Sequence, residues 1–284
     1  MFKYLLGEYF EKGFSFDEKF RPENKVTKTN FIVRTSLKGF RKYVTQKNLI
    51  QNQDAYIAMD AVDGEHTNIV TGDLVGSWLA APQDSQESWH ISGRAGDDFI
   101  QGSDAGLNYL LGGIGNDIIH GGIDTENTIV GGRGDDKMWG YKGEDTILGE
   151  RGDDVIYAGK NDDHLDGGFG NDRLYGYHGN DTLIGGQGDD LLLAGIGSNV
   201  YKGGAGADRF GLMKKHENTI DDFDPSQGDQ LLIRSKHVDS IEITVMPDHS
   251  EGSSFELKSK IGTCIINATL EDSSADIFNS ITVM

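Results

Sequence analysis

Between Gly93 and Gly211 a pattern of nine residues, Gly-Gly-x-Gly-x-Asp-x-apolar-x, recurs thirteen times. The last three places of each copy form a short strand, and side chains alternate along a strand, so only the middle one points into a core. That middle place is always apolar or aromatic: Ile100, Leu110, Ile119, Ile129, Met138, Ile147, Ile156, Leu165, Leu174, Leu183, Leu192, Tyr201 and Phe210. One short strand cannot bury its apolar side alone. Successive copies are therefore expected to coil and stack into a mainly β, parallel architecture.

Glycine dominates the first, second and fourth places of the pattern. The cleanest copies run from Gly112 to His120, from Gly167 to Tyr175 and from Gly185 to Leu193. Because glycine has no Cβ, it adopts positive φ values that other residues avoid. These places therefore predict sharp turns whose carbonyl oxygens point inward.

The sixth place differs between odd and even copies. Odd copies hold an unbroken series of aspartates: Asp98, Asp117, Asp136, Asp154, Asp172, Asp190 and Asp208. Even copies hold Asn108, Asn127, Asp145, Asp163, Asp181 and Asn199, and copies two and four are one residue too long. Each amide in place of a carboxylate removes one negative charge. The odd copies therefore carry more negative charge at this place than the even copies.

These residues resemble the nonapeptide calcium repeat of RTX proteins. The resemblance implies a right-handed parallel β-roll with two copies per turn, so odd and even copies stack into separate sheets. It also implies calcium ions between loops two copies apart, held by the sixth-place aspartates and by backbone carbonyls. The implied ligands are the seven odd-copy aspartates, Asp145, Asp163 and Asp181, and the carbonyls of Gly113, Gly115, Gly132, Gly134, Gly168, Gly170, Gly186 and Gly188. Such hard oxygen ligands suit Ca²⁺, and up to about eight ions are expected, about six of them on the odd side.

The net charge of −20 hides an asymmetry along the chain. Residues 1–50 hold eleven Lys or Arg against five acidic residues, so the rest of the chain is strongly acidic. Such a glycine-rich acidic chain is expected to fold poorly without its metal. The acidic balance argues against nucleic acid as a partner, and no apolar stretch reaches transmembrane length.

Three regions are expected: residues 1–90 of unknown role, the roll at 91–211, and a C-terminal β cap at 212–284. The N-terminus lacks the apolar core of a secretory signal peptide. The last copy of the roll and the cap together resemble the C-terminal regions of serralysin-type proteins through Gly206–Phe210, Asn218–Asp224 and Gly228–Ile233. That resemblance implies a secreted, extracellular bacterial protein, exported by type I secretion machinery that reads an uncleaved C-terminal signal.

No motif identifies an enzyme. The chain contains neither His-Glu-x-x-His nor Gly-x-Ser-x-Gly, which argues against the zinc proteases and lipases that carry such rolls. A non-enzymatic effector, adhesion or surface-interaction protein is the favoured hypothesis. An enzyme with an unrecognised active site in residues 1–90 remains an alternative.

Two features of the roll suggest a second alternative, a polysaccharide-binding or polysaccharide-modifying accessory protein. Trp139, Tyr157 and Tyr175 occupy ninth places of successive odd copies, so they are expected to form an aromatic row at the strand spacing of about 4.8 Å. The row either packs under another part of the chain or offers a glycan platform. Arg133, Lys142, Arg151 and Lys160 occupy four successive third places. They either offset neighbouring carboxylates or form a basic ladder for an acidic polysaccharide.

Overall fold

The computed structural model describes residues 26–27, 34–35, 49–50, 56–62, 65–72, 74–81, 83, 85–212, 216–233, 242–246, 253–259, 262–268 and 281–283. These residues form strands, turns and bends. Among them there is no helix, and hence none that could span a membrane. The prediction of a mainly β, parallel fold is confirmed.

Most strands belong to two parallel stacks. The first is a ten-stranded sheet made, in chain order, of β6 (Trp78–Ala80), β8 (Phe99–Gln101), β10 (Ile118–His120), β12 (Lys137–Lys142), β14 (Val155–Lys160), β16 (Arg173–His178), β18 (Leu191–Leu193), β20 (Arg209–Gly211), β22 (Gln230–Ile233) and β26 (Ile281–Val283). The chain crosses to the other sheet between each pair of these strands.

The second is a fourteen-stranded sheet. Its parallel part consists of β5 (Glu65–Thr71), β7 (Trp89–Ala95), β9 (Asn108–Ile114), β11 (Asn127–Arg133), β13 (Thr146–Arg151), β15 (His164–Phe169), β17 (Thr182–Gln187), β19 (Val200–Ala205), β21 (His216–Phe223) and β25 (Gly262–Ala268). Four further strands lie at its ends: β2 (Arg34–Thr35), β4 (Tyr56–Val62), β23 (Glu242–Met246) and β24 (Ser253–Ser259). A separate pair is formed by β1 (Val26–Thr27) and β3 (Leu49–Ile50).

Stacking keeps equivalent places of the repeat in register. Ile119 pairs with Ile100 on one side and with Met138 on the other, so each copy lies beside the copies two before and two after it. All thirteen eighth-place side chains are fully buried between the two sheets. The apolar place of each copy thus builds one continuous core along the solenoid.

The solenoid is longer than thirteen copies predict. Two copies per turn would give about six and a half turns, whereas the parallel stacks form about nine. Val70 and Leu79 extend the core upstream, and Ile220 and Leu231 extend it downstream. The sequence count was too low because these turns keep the buried apolar residue but retain only isolated glycines, such as Gly72, Gly76 and Gly228, instead of the full motif.

Candidate calcium-binding columns

The odd-copy aspartates form one continuous line, called here the odd column: Asp98, Asp117, Asp136, Asp154, Asp172, Asp190 and Asp208. Every member is at most 2% exposed. The backbone N–H of each member donates to Oδ1 of the next, as from Asp136 to Asp154 at 2.7 Å and from Asp190 to Asp208 at 2.9 Å. The line exists because strand stacking brings equivalent places of copies two apart into contact.

The even copies form a parallel line, called here the even column: Asn108, Asn127, Asp145, Asp163, Asp181 and Asn199. Its three aspartates repeat the geometry of the odd column, with N–H to Oδ1 distances of 2.9 Å from Asp145 to Asp163 and 3.1 Å from Asp163 to Asp181. All ten aspartates that the sequence singled out as ligands therefore lie in two buried lines.

One carboxylate oxygen of nearly every column aspartate is left over. Within the described part of the chain, the second oxygen, Oδ2, is buried and accepts no hydrogen bond in Asp117, Asp136, Asp145, Asp154, Asp163, Asp172, Asp181, Asp190 and Asp208. In most copies the first place is a glycine, which leaves room for this oxygen: a Cβ added to Gly149 would lie 2.3 Å from Asp154 Oδ2. A buried polar atom without a partner is costly. Without a further binding partner, the columns therefore leave buried carboxylate oxygens unsatisfied.

Burial and like charge weaken the acidity of these carboxyl groups. Burial, with a smaller contribution from the neighbouring carboxylates, raises the pKa of Asp136 to about 8, and it raises the pKa of Asp163 to about 8 in the same way. The pKa values of Asp172 and Asp190 rise to about 7, and that of Asp154 rises to about 6. In each case a backbone N–H donor from the preceding member opposes the rise only in part. Ionised columns therefore need an external positive charge.

The glycine loops supply the second kind of oxygen ligand. All eight glycines predicted to offer carbonyl groups have positive φ values, from +99° at Gly168 to +137° at Gly115. The loops stack closely. At Gly170, for example, an added Cβ would lie 1.9 Å from the carbonyl oxygen of Gly152. At the first place of the repeat a carbonyl oxygen also lies beside a buried carboxylate, since a Cβ added to Gly149 would lie 2.3 Å from Asp154 Oδ2 and 2.5 Å from the carbonyl oxygen of Gly167.

This oxygen-only surrounding fits Ca²⁺. No group of three or more His, Cys, Asp or Glu side chains converges on one point among the described residues. A cation between two loops would thus take carboxylates from adjacent column members and complete its shell with backbone carbonyls. Calcium accepts six to eight such oxygens at flexible geometry, whereas zinc favours nitrogen and sulfur.

The asparagines of the even column behave differently from the aspartates. The Nδ2 group of Asn127 donates to the carbonyl oxygens of Thr125 at 2.9 Å and Gly140 at 3.1 Å, and to Asp145 Oδ1 at 2.7 Å. The Nδ2 group of Asn108 donates to the carbonyl oxygen of Ser103 and to Asn127 Oδ1, both at 2.8 Å. Each amide thus directs its own N–H donors at oxygen atoms that elsewhere would face a cation. This end of the even column is linked without metal.

Replacing Asn127 by aspartate is expected to change the metal requirement of this region. The Asn127→Asp variant loses the amide donors and places a carboxylate next to Asp145, so its stability in chelator should fall by about 1–3 kcal/mol. In saturating calcium it should bind one more ion than the unchanged protein. Equilibrium dialysis with atomic absorption counts the ions, and urea unfolding in chelator measures the stability.

Asn116→Asp is the matched control, because it makes the same charge change on an exposed loop residue. It should alter neither the ion count nor the stability in chelator. If Asn127→Asp behaves like this control, the amide is not a substitute for a cation.

The columns continue beyond the residues that the sequence identified. Asp229 is 3% exposed and accepts the backbone N–H of Asp208 at 2.9 Å, so it extends the odd column by one member. Its Oδ2 accepts the N–H of Asp224 at 2.8 Å, which satisfies the oxygen and caps the column. Asn218 extends the even column in the same way. The available signal was a polar residue two places before a buried apolar one, as in Asp229-Gln230-Leu231.

The predicted aromatic row is present on the outer face of the ten-stranded sheet. The ring centroids of Trp139 and Tyr157 are 5.3 Å apart, and those of Tyr157 and Tyr175 are 4.9 Å apart. His120 continues the row, stacked 4.5 Å from Trp139. Its use as a glycan platform stays a prediction.

The four third-place cations do not form one ladder. Arg133 pairs with Arg151 in the fourteen-stranded sheet, whereas Lys142 pairs with Lys160 in the ten-stranded sheet. The single basic ladder suggested by the sequence was wrong, because successive copies lie in opposite sheets. Arg151 lies over the Phe169 ring, and Lys142 forms an ion pair with Asp124.

Comparison with known families agrees with this geometry. The family model of the RTX calcium-binding nonapeptide repeat (4 copies) matches residues 90–105, 122–156, 142–174, 157–192 and 175–210. These segments include every predicted ligand aspartate except Asp117. A search of curated proteins found no match. Repeats of this family bind Ca²⁺, and residues 90–105 and 122–210 of this chain are RTX calcium-binding nonapeptide repeats.

Proposed function

We propose that this protein is exported unfolded and folds into its roll when calcium binds along the two columns. The observation that carries the proposal is the series of buried carboxylate oxygens without a hydrogen-bond donor. The proposed ligands are the ten column aspartates, with the carbonyl oxygens of the positive-φ glycines completing each shell. Bound Ca²⁺ supplies positive charge between stacked carboxylates that otherwise repel one another.

Energetics make metal binding and folding one event. Carboxylates of successive turns are about 4.8 Å apart, a separation at which buried like charges repel strongly. The unfolded chain has no preformed site, so the free energy of calcium binding becomes free energy of folding. Extracellular calcium modules bind with Kd values of about 10⁻⁴ to 10⁻³ M. Affinity in that range would leave the chain unfolded at low intracellular calcium and folded outside the cell.

Family membership supports the route of export. RTX repeat proteins are typically secreted by type I systems. For this chain we infer the same route, with the C-terminal region as the signal and the exterior of a bacterial cell as the location. An unfolded state before export is compatible with passage through a narrow channel.

For the role outside the cell, we infer a non-enzymatic surface-interaction protein. The described side chains serve the core, the columns and the outer faces of the roll, and the broad aromatic and basic face of the ten-stranded sheet supports an interaction role. An active site in residues 1–90 would lie largely outside the residues whose side chains are described.

Exchange of one column aspartate tests the ligand assignment. Asp154 lies in the middle of the odd column, and its Oδ1 already accepts the N–H of Asp136. Asp154→Asn removes the charge that two neighbouring ions would share, so the protein should bind one or two fewer ions of the about eight expected. The calcium concentration at half-folding should rise several-fold. Isothermal titration calorimetry and circular dichroism give the two values.

Asp153→Asn is the control for this exchange. Asp153 is adjacent in sequence and exposed, and it accepts a backbone N–H from Asn171 at 2.8 Å. Its replacement removes the same charge but should leave the ion count unchanged. Equal calcium stoichiometry for Asp154→Asn and Asp153→Asn would rule out Asp154 as a ligand.

A further inference from the structure

The ten-stranded sheet differs from the rest of the molecule in charge. The chain has 46 acidic residues and a net charge of −20, yet none of the ten strands of this sheet contains an Asp or a Glu. Five cations lie on these strands, and each is exposed: Lys137, Lys142, Lys160, Arg173 and Arg209. The outer face of the other sheet, in contrast, includes Asp166 and Asp221. The strands of the ten-stranded sheet thus carry positive charge only, whereas those of the other sheet carry both signs, including Arg133, Arg151 and Lys202.

Strand register arranges these cations on both sides of the aromatic row. Lys137, Arg173 and Arg209 occupy equivalent places on every second strand, with Val155 and Leu191 at that place on the strands between them. Neighbouring cations of this row are therefore about 9.6 Å apart. Trp139, Tyr157 and Tyr175 follow two places along the same strands. Lys160 and His178 then line the far side, together with Lys142, which is ion-paired with Asp124. We call these three rows the basic strip.

The aromatic rings of the strip cover one another's faces. His120 and Trp139 are nearly parallel at 6°, Trp139 and Tyr157 at 19°, and Tyr157 and Tyr175 at 14°. A partner therefore meets ring edges, which carry tyrosine hydroxyls and the tryptophan N–H group, rather than open ring faces. Edges of this kind donate hydrogen bonds. Stacking of sugar rings or bases on aromatic faces is not supported.

We infer that the basic strip binds a linear acidic polysaccharide, a polyuronate, lying along the axis of the solenoid. The inference rests on the proposed calcium-driven fold, because only the folded roll assembles the strip. Rows of cations on both sides suit carboxylates that project alternately from an extended chain, and the central hydrogen-bond donors suit its hydroxyl groups. The class of partner is inferred from the positive charge of the strip, which complements a polyanion, and from its straight, repeating surface.

Other polyanionic partners fit less well. Single-stranded nucleic acid binds on open aromatic faces, and here those faces are occupied. An anionic membrane calls for an apolar surface that enters the bilayer, whereas Trp139, Tyr157 and Tyr175 are partly buried in a flat sheet. The N-terminal segment of this chain, residues 1–50, is not a suitable occupant either, because its net positive charge would be repelled by the strip. Eight bound calcium ions would add sixteen positive charges to −20, leaving about −4, so calcium would also reduce the overall repulsion of a polyanion.

The test uses the full-length protein with calcium and short oligogalacturonates that do not gel. Calorimetry should detect binding that weakens as salt rises, and no binding to the same oligomers after full methyl esterification of their carboxylates. The triple variant Lys137→Gln, Arg173→Gln and Arg209→Gln should bind roughly tenfold more weakly, as expected for three partly exposed charge pairs. Trp139→Leu should also weaken binding.

The matched control is Arg133→Gln, Arg151→Gln and Lys202→Gln. It removes three cations from the other sheet and should keep the affinity of the unchanged protein. Circular dichroism of each sample separates two kinds of failure. A protein that does not fold with calcium contradicts the proposed function. A folded protein that ignores oligogalacturonate, binds the methyl ester equally, or binds only anionic vesicles or single-stranded DNA contradicts the basic strip as a polyuronate site.

Discussion

Chelation of calcium at about pH 8 is expected to abolish most of the parallel-sheet signal of this protein. At that pH the carboxyl groups of Asp172 and Asp190, whose pKa values are about 7, are largely ionised, and those of Asp136 and Asp163, whose pKa values are about 8, are about half ionised. These charges face one another without a counter-charge. Each calcium site contributes about 1.4 to 2.7 kcal/mol when free calcium is ten to a hundred times its Kd. Several sites together exceed the total stability of a typical domain. Far-ultraviolet circular dichroism during a calcium titration measures the transition.

Acidification in chelator should partly restore the fold. Unfolded aspartates have a pKa near 3.8, whereas burial raises the folded-state pKa of Asp136 and Asp163 to about 8 and that of Asp154 to about 6. A raised folded-state pKa favours folding at low pH, and that stability is lost as pH rises through about 6 to 8. With calcium present the dependence should reverse, because protons compete with Ca²⁺ for the carboxylates.

Magnesium at equal concentration is the control for nonspecific charge screening. It keeps its hydration shell more firmly than calcium and demands stricter geometry, so it should restore little structure. Full strand content in chelator at about pH 8 would show that the columns are stable without metal.

Gly170→Ala is expected to be among the most damaging single substitutions in the glycine loops. Gly170 has a φ of +132°, and an added Cβ would lie 1.9 Å from the Gly152 carbonyl oxygen. Alanine is strained at such a φ, and the obstacle is backbone rather than a movable side chain. The free energy of unfolding in saturating calcium should fall by at least about 2 kcal/mol. Urea unfolding followed by circular dichroism gives the value.

Gly168→Ala, two residues away in the same loop, is the matched control. Gly168 stacks on Glu150, a non-glycine residue that already adopts a φ of +72° at the equivalent place. Tyr141 and Tyr177 do the same at φ values of +78° and +70°. A Cβ added to Gly168 would lie 2.4 Å from the Glu150 carbonyl oxygen, against 1.9 Å for Gly170 and the Gly152 oxygen, so the strain is smaller and the loss should be about 1 kcal/mol. Equal losses for both substitutions would mean that close stacking at the fourth place is not what requires glycine.

Local pattern predicted the core and the columns well because the period of the repeat fixes both. Once Ile119 is placed inward, the register of stacked copies determines the position of Ile100 and Met138, and likewise that of Asp117 and Asp136. The same argument predicted the row of Trp139, Tyr157 and Tyr175. These features depend on spacing along the chain rather than on any individual contact.

The remaining features depend on contacts that the pattern does not encode. The terminal turns around Val70 and Leu231 retain only isolated glycines, such as Gly76 and Gly228, so the sequence repeat ends before the solenoid does. Trp89 occupies a place where other copies have Asp or Asn, and it is 7% exposed. The amide of Asn127 acquires its role only because stacking brings the Gly140 carbonyl and Asp145 beside it. From the sequence, asparagine in place of aspartate predicted only a weaker calcium site. The contacts of the amide indicate that it joins the neighbouring loops without metal.

The central claim, that calcium ions lie between successive column aspartates, is tested most directly by anomalous diffraction from crystals grown with calcium. The account predicts peaks between consecutive members of the odd column from Asp98 to Asp208, and peaks between Asp145 and Asp163 and between Asp163 and Asp181. It predicts no peak between Asn108 and Asn127. Ordered columns without peaks, or a calcium ion between the two asparagines, would contradict it.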